Sequence, residues 1–133
     1  MLHVSINPRT GETRRLTRFP GGILAARVYE THNWLDEMRG LICETLKPDE
    51  ALIIHGCRQV HTAFLRHPID VAFCDDTQRH RPRVVHVETL PPWRVSRYVP
   101  GASLVIEMRA GSPMTSLRVG DLVSLFAPGE ETG

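Results

Sequence analysis

Short apolar runs, each stopped after a few residues by proline, glycine or charge, set the rhythm of this chain. Ile69, Val71 and Phe73 alternate with Asp70, Ala72 and Cys74, the two-residue period of a strand with one face buried. Ala51 to His55 is a compact apolar run between Pro48-Asp49 and Gly56, the pattern of a buried strand. Val84 to Glu88, Ala102 to Met108 and Leu122 to Phe126 repeat the theme, with Leu104, Ile106 and Met108 sharing one face. Gly21 to Glu30 adds another apolar run. Near the N-terminus, Leu2 to Ile6 and Arg14 to Phe19 flank Asn7-Pro8-Arg9-Thr10-Gly11, a sequence that predicts a hairpin. Turn residues cluster between these runs, at Pro20-Gly21-Gly22, Asp75 to Pro82, Pro91-Pro92, Pro100-Gly101 and Ala110 to Pro113.

Helical spacing stands out in one place. Trp34, Leu35, Met38 and Leu41 recur at three- and four-residue intervals, and Thr31 can cap the N-terminus. Asp36 and Glu37 suit the positive end of the helix dipole, and Arg39-Gly40 supplies a stop. These signals predict a short amphipathic helix near residues 31–39. Six to eight short strands with one helix predict a mainly β fold, a compact β-sandwich or small barrel, rather than repeated βαβ units. Residues 1–20 read as an N-terminal extension, 21–127 as a single β-rich domain and 128–133 as a flexible tail.

Composition narrows the class without naming a chemistry. A chain of 133 residues with 41% hydrophobic and 23% charged residues has one core's worth of material and lies far from the signature of disorder. No apolar run approaches the roughly 18 residues of a membrane helix, and Met1 to Pro20 lacks the apolar stretch of an export signal. Those features, with an odd set of cysteines (Cys43, Cys57, Cys74), predict a cytoplasmic protein with reduced thiols. A net charge of +1 argues against a uniformly basic nucleic-acid binder. The total conceals a pattern, however. Six acids against Arg39 and Lys47 give −4 between Val28 and Ile54, and five arginines against Glu88 give +4 between Arg79 and Arg97. The two segments can neutralise one another within a molecule or mate between subunits, as an oligomeric module would require.

Several motifs occur in an order that resembles the domain of unknown function 192 family. Arg39-Gly40-Leu41 is similar to the family's Arg-Gly-Leu-Met element, and His61-Thr62 ahead of Pro68-Ile69-Asp70 is similar to its central signature. Ala102 to Gly111 resembles its strand followed by Ala-Gly, and Val119-Gly120-Asp121 its closing turn. Ile42 stands where the family usually has Met, and Thr62-Ala63-Phe64 where Met-Lys-Asn is common. The resemblance runs from about Leu24 to Phe126 and implies a small, mainly β domain; it implies no mechanism.

The densest polar cluster lies between His55 and Asp70. His55, Cys57 and His61 have ligand types and spacing that suit zinc, provided a further ligand or an open position completes the site. Such a site would make the protein a metal binder or a metal-dependent hydrolase. Asp70 sits on an otherwise apolar strand and needs a partner if covered, for which Arg66 is the nearest cation; alternatively Arg66 faces an anionic ligand, with His61 and Thr62 beside it. Cys57 or Thr62 with His61 and Asp70 contains the residue types of an acyl-transfer triad, but strand neighbours point to opposite faces and no nucleophile elbow accompanies them.

A second cluster is Pro91-Pro92-Trp93-Arg94, followed by Arg97 and Tyr98. The prolines favour extended backbone, which either holds Trp93 outward beside the arginines as a recognition element or folds it back over the core. The expectation is therefore a non-enzymatic binding or accessory domain. Its site is His61, Thr62, Arg66, Asp70, Trp93 and Arg94, and its target a small anionic or polar ligand or a peptide partner. Neither nucleic acid nor membrane is expected, and the assembly is a monomer or small homo-oligomer. The alternatives are the zinc protein built on His55, Cys57 and His61 and the structural oligomerisation module.

Overall fold

The computed structural model describes residues 3–6, 11–19, 22–32, 45–76 and 81–125. Within them the apolar runs become nine strands: β1 (His3–Val4), β2 (Leu16–Phe19), β3 (Ile23–Ala25), β4 (Arg27–Thr31), β5 (Glu50–His55), β6 (Ile69–Asp75), β7 (Arg83–Leu90), β8 (Leu104–Arg109) and β9 (Leu122–Ser124). One 3₁₀ turn, Pro113–Ser116, is capped by Ser112, whose hydroxyl accepts from Met114 N. The fold is mainly β, as the pattern predicts.

All nine strands join one sheet in the order β1-β4-β5-β8-β6-β7-β9-β2-β3. That order forces curvature. β3 ends the sheet on one side and β4 lies next to the other end, yet only Ala26 separates them along the chain. The sheet must therefore roll until its ends approach, giving an open barrel without a closing ladder between β1 and β3. β4 and β5 are parallel, and the other pairings are antiparallel.

Each face carries its own core. One cluster, with Leu16, Leu24, Val28, Ile53, Ala72, Ile106 and Met108, draws on strands from both ends of the order and fills the inside of the roll. The other, with Leu52, Ile54, Val60, Leu65, Ile69, Val71, Phe73 and Val105, lies on the opposite face beneath the segments that follow β5 and β7. The alternation in β6 had suggested one buried face; both are buried, because β6 lies in mid-sheet and its alternate positions Ala72 and Cys74 are small and apolar. Burial pushes the Cys74 thiol well above its ordinary range, with Asp76 adding to the effect.

Near the N-terminus, Ile6 bridges Thr13 and Arg14 N donates to Ser5 O, the cross-strand pairing expected of a hairpin. The intervening residues 7–10 lie outside the described residues. Thr31, read as a helix cap, is the buried last residue of β4; the remainder of the helix expected near 31–39 lies outside the described residues apart from His32, as do Cys43 and the tail 128–133.

Among the described residues, the strands that carry the oppositely charged segments are not neighbours in the sheet. Arg83 is on β7, which β6 and β8 separate from β5 and β4 with Glu50 and Glu30. Glu30 instead accepts from His55 Nε2 at 2.8 Å, and Glu50 from Tyr29 and from Lys47 N. Burial raises the pKa of Glu30, but His55, Ser5 and Arg14 outweigh it and hold the carboxyl at about 2.

Candidate functional site

The segments after β5 and after β7, well separated in sequence, are laced together. Ser96 N donates to Val60 O, Val99 N to Arg58 O and Thr62 N to Arg94 O, and His61 and Val95 form an isolated antiparallel bridge. The Ser96 hydroxyl accepts from Val60 N, and the Gln59 side chain donates to Ser96 O.

Thr62 fastens the centre. Its hydroxyl donates to Pro91 O at 2.6 Å and accepts from Arg94 N at 2.8 Å, while its carbonyl accepts from Trp93 N at 3.0 Å and Leu65 N at 3.1 Å. Thr62 has no exposed surface. Expected as a ligand-facing residue, it is instead the residue that holds two loops in register, because its short hydroxyl satisfies both a donor and an acceptor of the opposite loop.

What the fastening displays is an aromatic pair. Phe64 and Trp93 are 80% and 61% exposed, and their rings meet edge to face at 4.7 Å with an interplanar angle of 61°. Both residues have left-handed backbone, φ 68° and 62°. Such a conformation costs a non-glycine residue about 1 to 2 kcal/mol. Two adjacent exposed aromatics held at that cost are not explained by core packing, and strain of this kind gathers at functional sites. Trp93 thus points outward and does not cover the core.

Beside the pair lies an open cleft of about 630 Å³, lined by Gly56 to His61, Ala63, Val95 and Tyr98. Val95 and Tyr98 are exposed along it, 65% and 57%. The His61 Nδ1 accepts from Ala63 N. Arg58, Arg94 and Arg97 are exposed on the same two segments. Arg58 Nε donates to Ala102 O, and Arg97 holds Glu88 through its main-chain nitrogen.

The structure therefore brings His61, Thr62, Trp93 and Arg94 together, while Arg66 lies exposed two residues beyond Phe64. Asp70 stands apart. Its carboxylate accepts from Thr89 Oγ1 at 2.6 Å and from Gly111 N at 3.1 Å, so its burial is met by these groups where the sequence had offered Arg66. It borders a separate recess of about 230 Å³ with Val87, Met114 and Leu117.

His55 bonds Glu30, Cys57 donates to Gln59 O and His61 accepts from Ala63 N. Among the described residues no three His, Cys, Asp or Glu side chains are grouped to hold a metal ion. The described residues likewise contain no helix long and apolar enough to cross a membrane. A third, smaller cavity of about 90 Å³ opens at one end of the barrel between Leu16, Ile53, Ile106 and Val123, with Arg14, His55 and Asp76 among its polar lining.

Two residues of note escaped the sequence reading. Phe64 follows no pattern that marks it, since only the backbone conformation places its ring outside. Glu107 is wholly buried on β8 between its register partners Leu52 and Val71. An acid in the middle of the apolar run Leu104 to Met108 was the available signal.

A family model of DUF192, described as Uncharacterized ACR, matches residues 19–125. A search of curated proteins gives no match. Among solved structures, a protein of unknown function from Novosphingobium aromaticivorans DSM 12444 is similar over 92% of each chain, with a TM-score of 0.64 and 17% sequence identity. That likeness concerns the fold.

Proposed function

The chain belongs to the DUF192 family, and from that premise we propose that it is a non-enzymatic binding module whose recognition surface is the Phe64–Trp93 pair with the adjoining cleft. The observation that carries this reading is the pair itself: two exposed aromatics, both in left-handed backbone, locked edge to face over a fastened loop junction. Aromatic and arginine side chains are the usual anchors of binding hot spots, and an anchor already ordered loses less entropy on binding. The cleft floor of Gly56 to Val60 with Ala63 and Val95 suits an apolar side chain. His61, Arg94 and Arg66 border the partner segment, and Thr62 preorganises the surface from below.

The test uses the blocked peptide Gln-Gln-Leu-Gln-Gln and follows the Trp93 indole N–H by NMR. The reading expects a saturable shift that disappears in Phe64→Gly, with a melting temperature close to that of the parent. No shift at millimolar peptide, or an equal shift in the variant, would refute it.

A further inference from the structure

Resting on that reading, we infer that the partner segment is acidic: a short extended peptide that places one apolar side chain in the cleft and carboxylates against the arginines around it. The two laced segments, residues 56–68 and 91–103, contain Arg58, Arg66, Arg94, Arg97, His61 and His67 and not one Asp or Glu. The structure gathers these residues, 36 positions apart at Arg58 and Arg94, onto one junction. Of the four arginines, Arg58 is seen bonding a main-chain carbonyl, Ala102 O, which leaves its charge uncompensated by that contact. Of the acidic residues that bond these segments, Glu88 has its Oε2 occupied by Arg97 N and His86 Nε2, and Asp76 meets Ser103 through its main-chain nitrogen. A cationic rim around an apolar, aromatic centre is complementary to an acidic segment with a central apolar residue.

The observations favour a peptide over a polyanion. The whole chain carries only +1, so the positive potential is local and matches a few carboxylates better than a long phosphate backbone. The rings of Phe64 and Trp93 also pack against each other, leaving no slot between them for an inserted base.

Three blocked pentapeptides differing only in their flanks, Glu-Glu-Leu-Glu-Glu, Gln-Gln-Leu-Gln-Gln and Lys-Lys-Leu-Lys-Lys, separate the possibilities. The expected order of affinity is acidic, neutral, basic, with the acidic peptide ahead of the neutral one by about tenfold at low salt and the gap narrowing as salt screens the charges. The triple variant Arg58→Gln, Arg94→Gln, Arg97→Gln should abolish the preference, so that the acidic and neutral peptides bind it alike; a preference for the acidic peptide that survives in the variant would overturn the assignment to these arginines. Equal affinities in the parent protein would overturn the acidic assignment while leaving the aromatic platform standing. Loss of binding by all three peptides would remove the platform reading itself. A decathymidine strand that binds more tightly than the acidic peptide and shifts the same Trp93 signal would overturn the inference in favour of single-stranded nucleic acid.

Discussion

Replacing Thr62 by Val tests the junction on which the candidate site depends. The substitution keeps the branched shape and removes only the hydroxyl. Two main-chain groups then lose their partner, Pro91 O at 2.6 Å and Arg94 N at 2.8 Å, while the main-chain bonds from Trp93 N and Leu65 N to Thr62 O persist. A buried polar group left without a partner costs about 1 to 3 kcal/mol. Both groups belong to residues with exposed side chains, so the lower end applies and the total is about 2 kcal/mol. For a domain of this size that corresponds to a fall in Tm of roughly 6 to 10 °C. Thermal unfolding followed by circular dichroism reads the loss, and hydrogen exchange locates it. In Thr62→Val the Arg94 amide should exchange faster while amides of the central strand β6 change only with global stability; Thr62→Ser, which keeps the hydroxyl, should retain Arg94 protection. A Thr62→Val protein within about 0.5 kcal/mol of the parent, with Arg94 still protected, would refute the claim that this hydroxyl ties the loops together.

Three further outcomes follow from the same structure. Glu30, held at about 2 in the folded protein against 4.5 unperturbed, contributes stability that is complete above the unfolded value and is lost as pH falls from about 4.5 toward 2. Glu30→Gln should therefore lower stability at neutral pH by at most about 3 kcal/mol and flatten the acid limb of a pH-dependent urea titration; an unchanged acid limb would count against the Glu30–His55 contact. The Cys74 thiol, buried and raised in pKa, should resist thiol-reactive reagents in the native state and react on unfolding, which mass spectrometry of digested protein can show; rapid native labelling would contradict its place in the core. Trp93→Gly relieves left-handed strain while losing an aromatic contact, two terms of about 1 kcal/mol each and opposite sign, so stability should hold while peptide binding is lost; a collapse in Tm would make Trp93 a packing residue.

The sheet was legible because its strands are written as local patterns. The runs at Ala51, Ile69, Val84 and Leu104 each became a strand within a few residues of the expected bounds. Which strands touch was not legible, since pairing such as β9 with β2 is set by long-range closure of the roll. The candidate site was legible in part. Pro91-Pro92 left Trp93 either held outward or folded back over the core, which the structure decides for the outward position, and both clusters were visible as arginine- and aromatic-bearing stretches. That they meet through Thr62 depends on hydrogen bonds between residues about 30 positions apart, and neither a residue's type nor its neighbours encode them. Phe64 shows the limit most clearly. An exposed phenylalanine beside a buried leucine reads as core, and only the left-handed backbone turns its ring to solvent. Asp70 failed for a related reason: the nearest cation in sequence was Arg66, but the sheet register places Thr89 opposite it and the β8 turn brings Gly111 N.

Amide chemical-shift mapping with saturating Glu-Glu-Leu-Glu-Glu peptide tests the central claim most directly, because the barrel-end cavity and the side recess are alternative sites for it. Shifts confined to residues 57–65 and 93–98 are the predicted result. Shifts centred instead on Arg14, His55 and Ser124 at the barrel end, or on Asp70, Thr89 and Thr115 in the side recess, would contradict it.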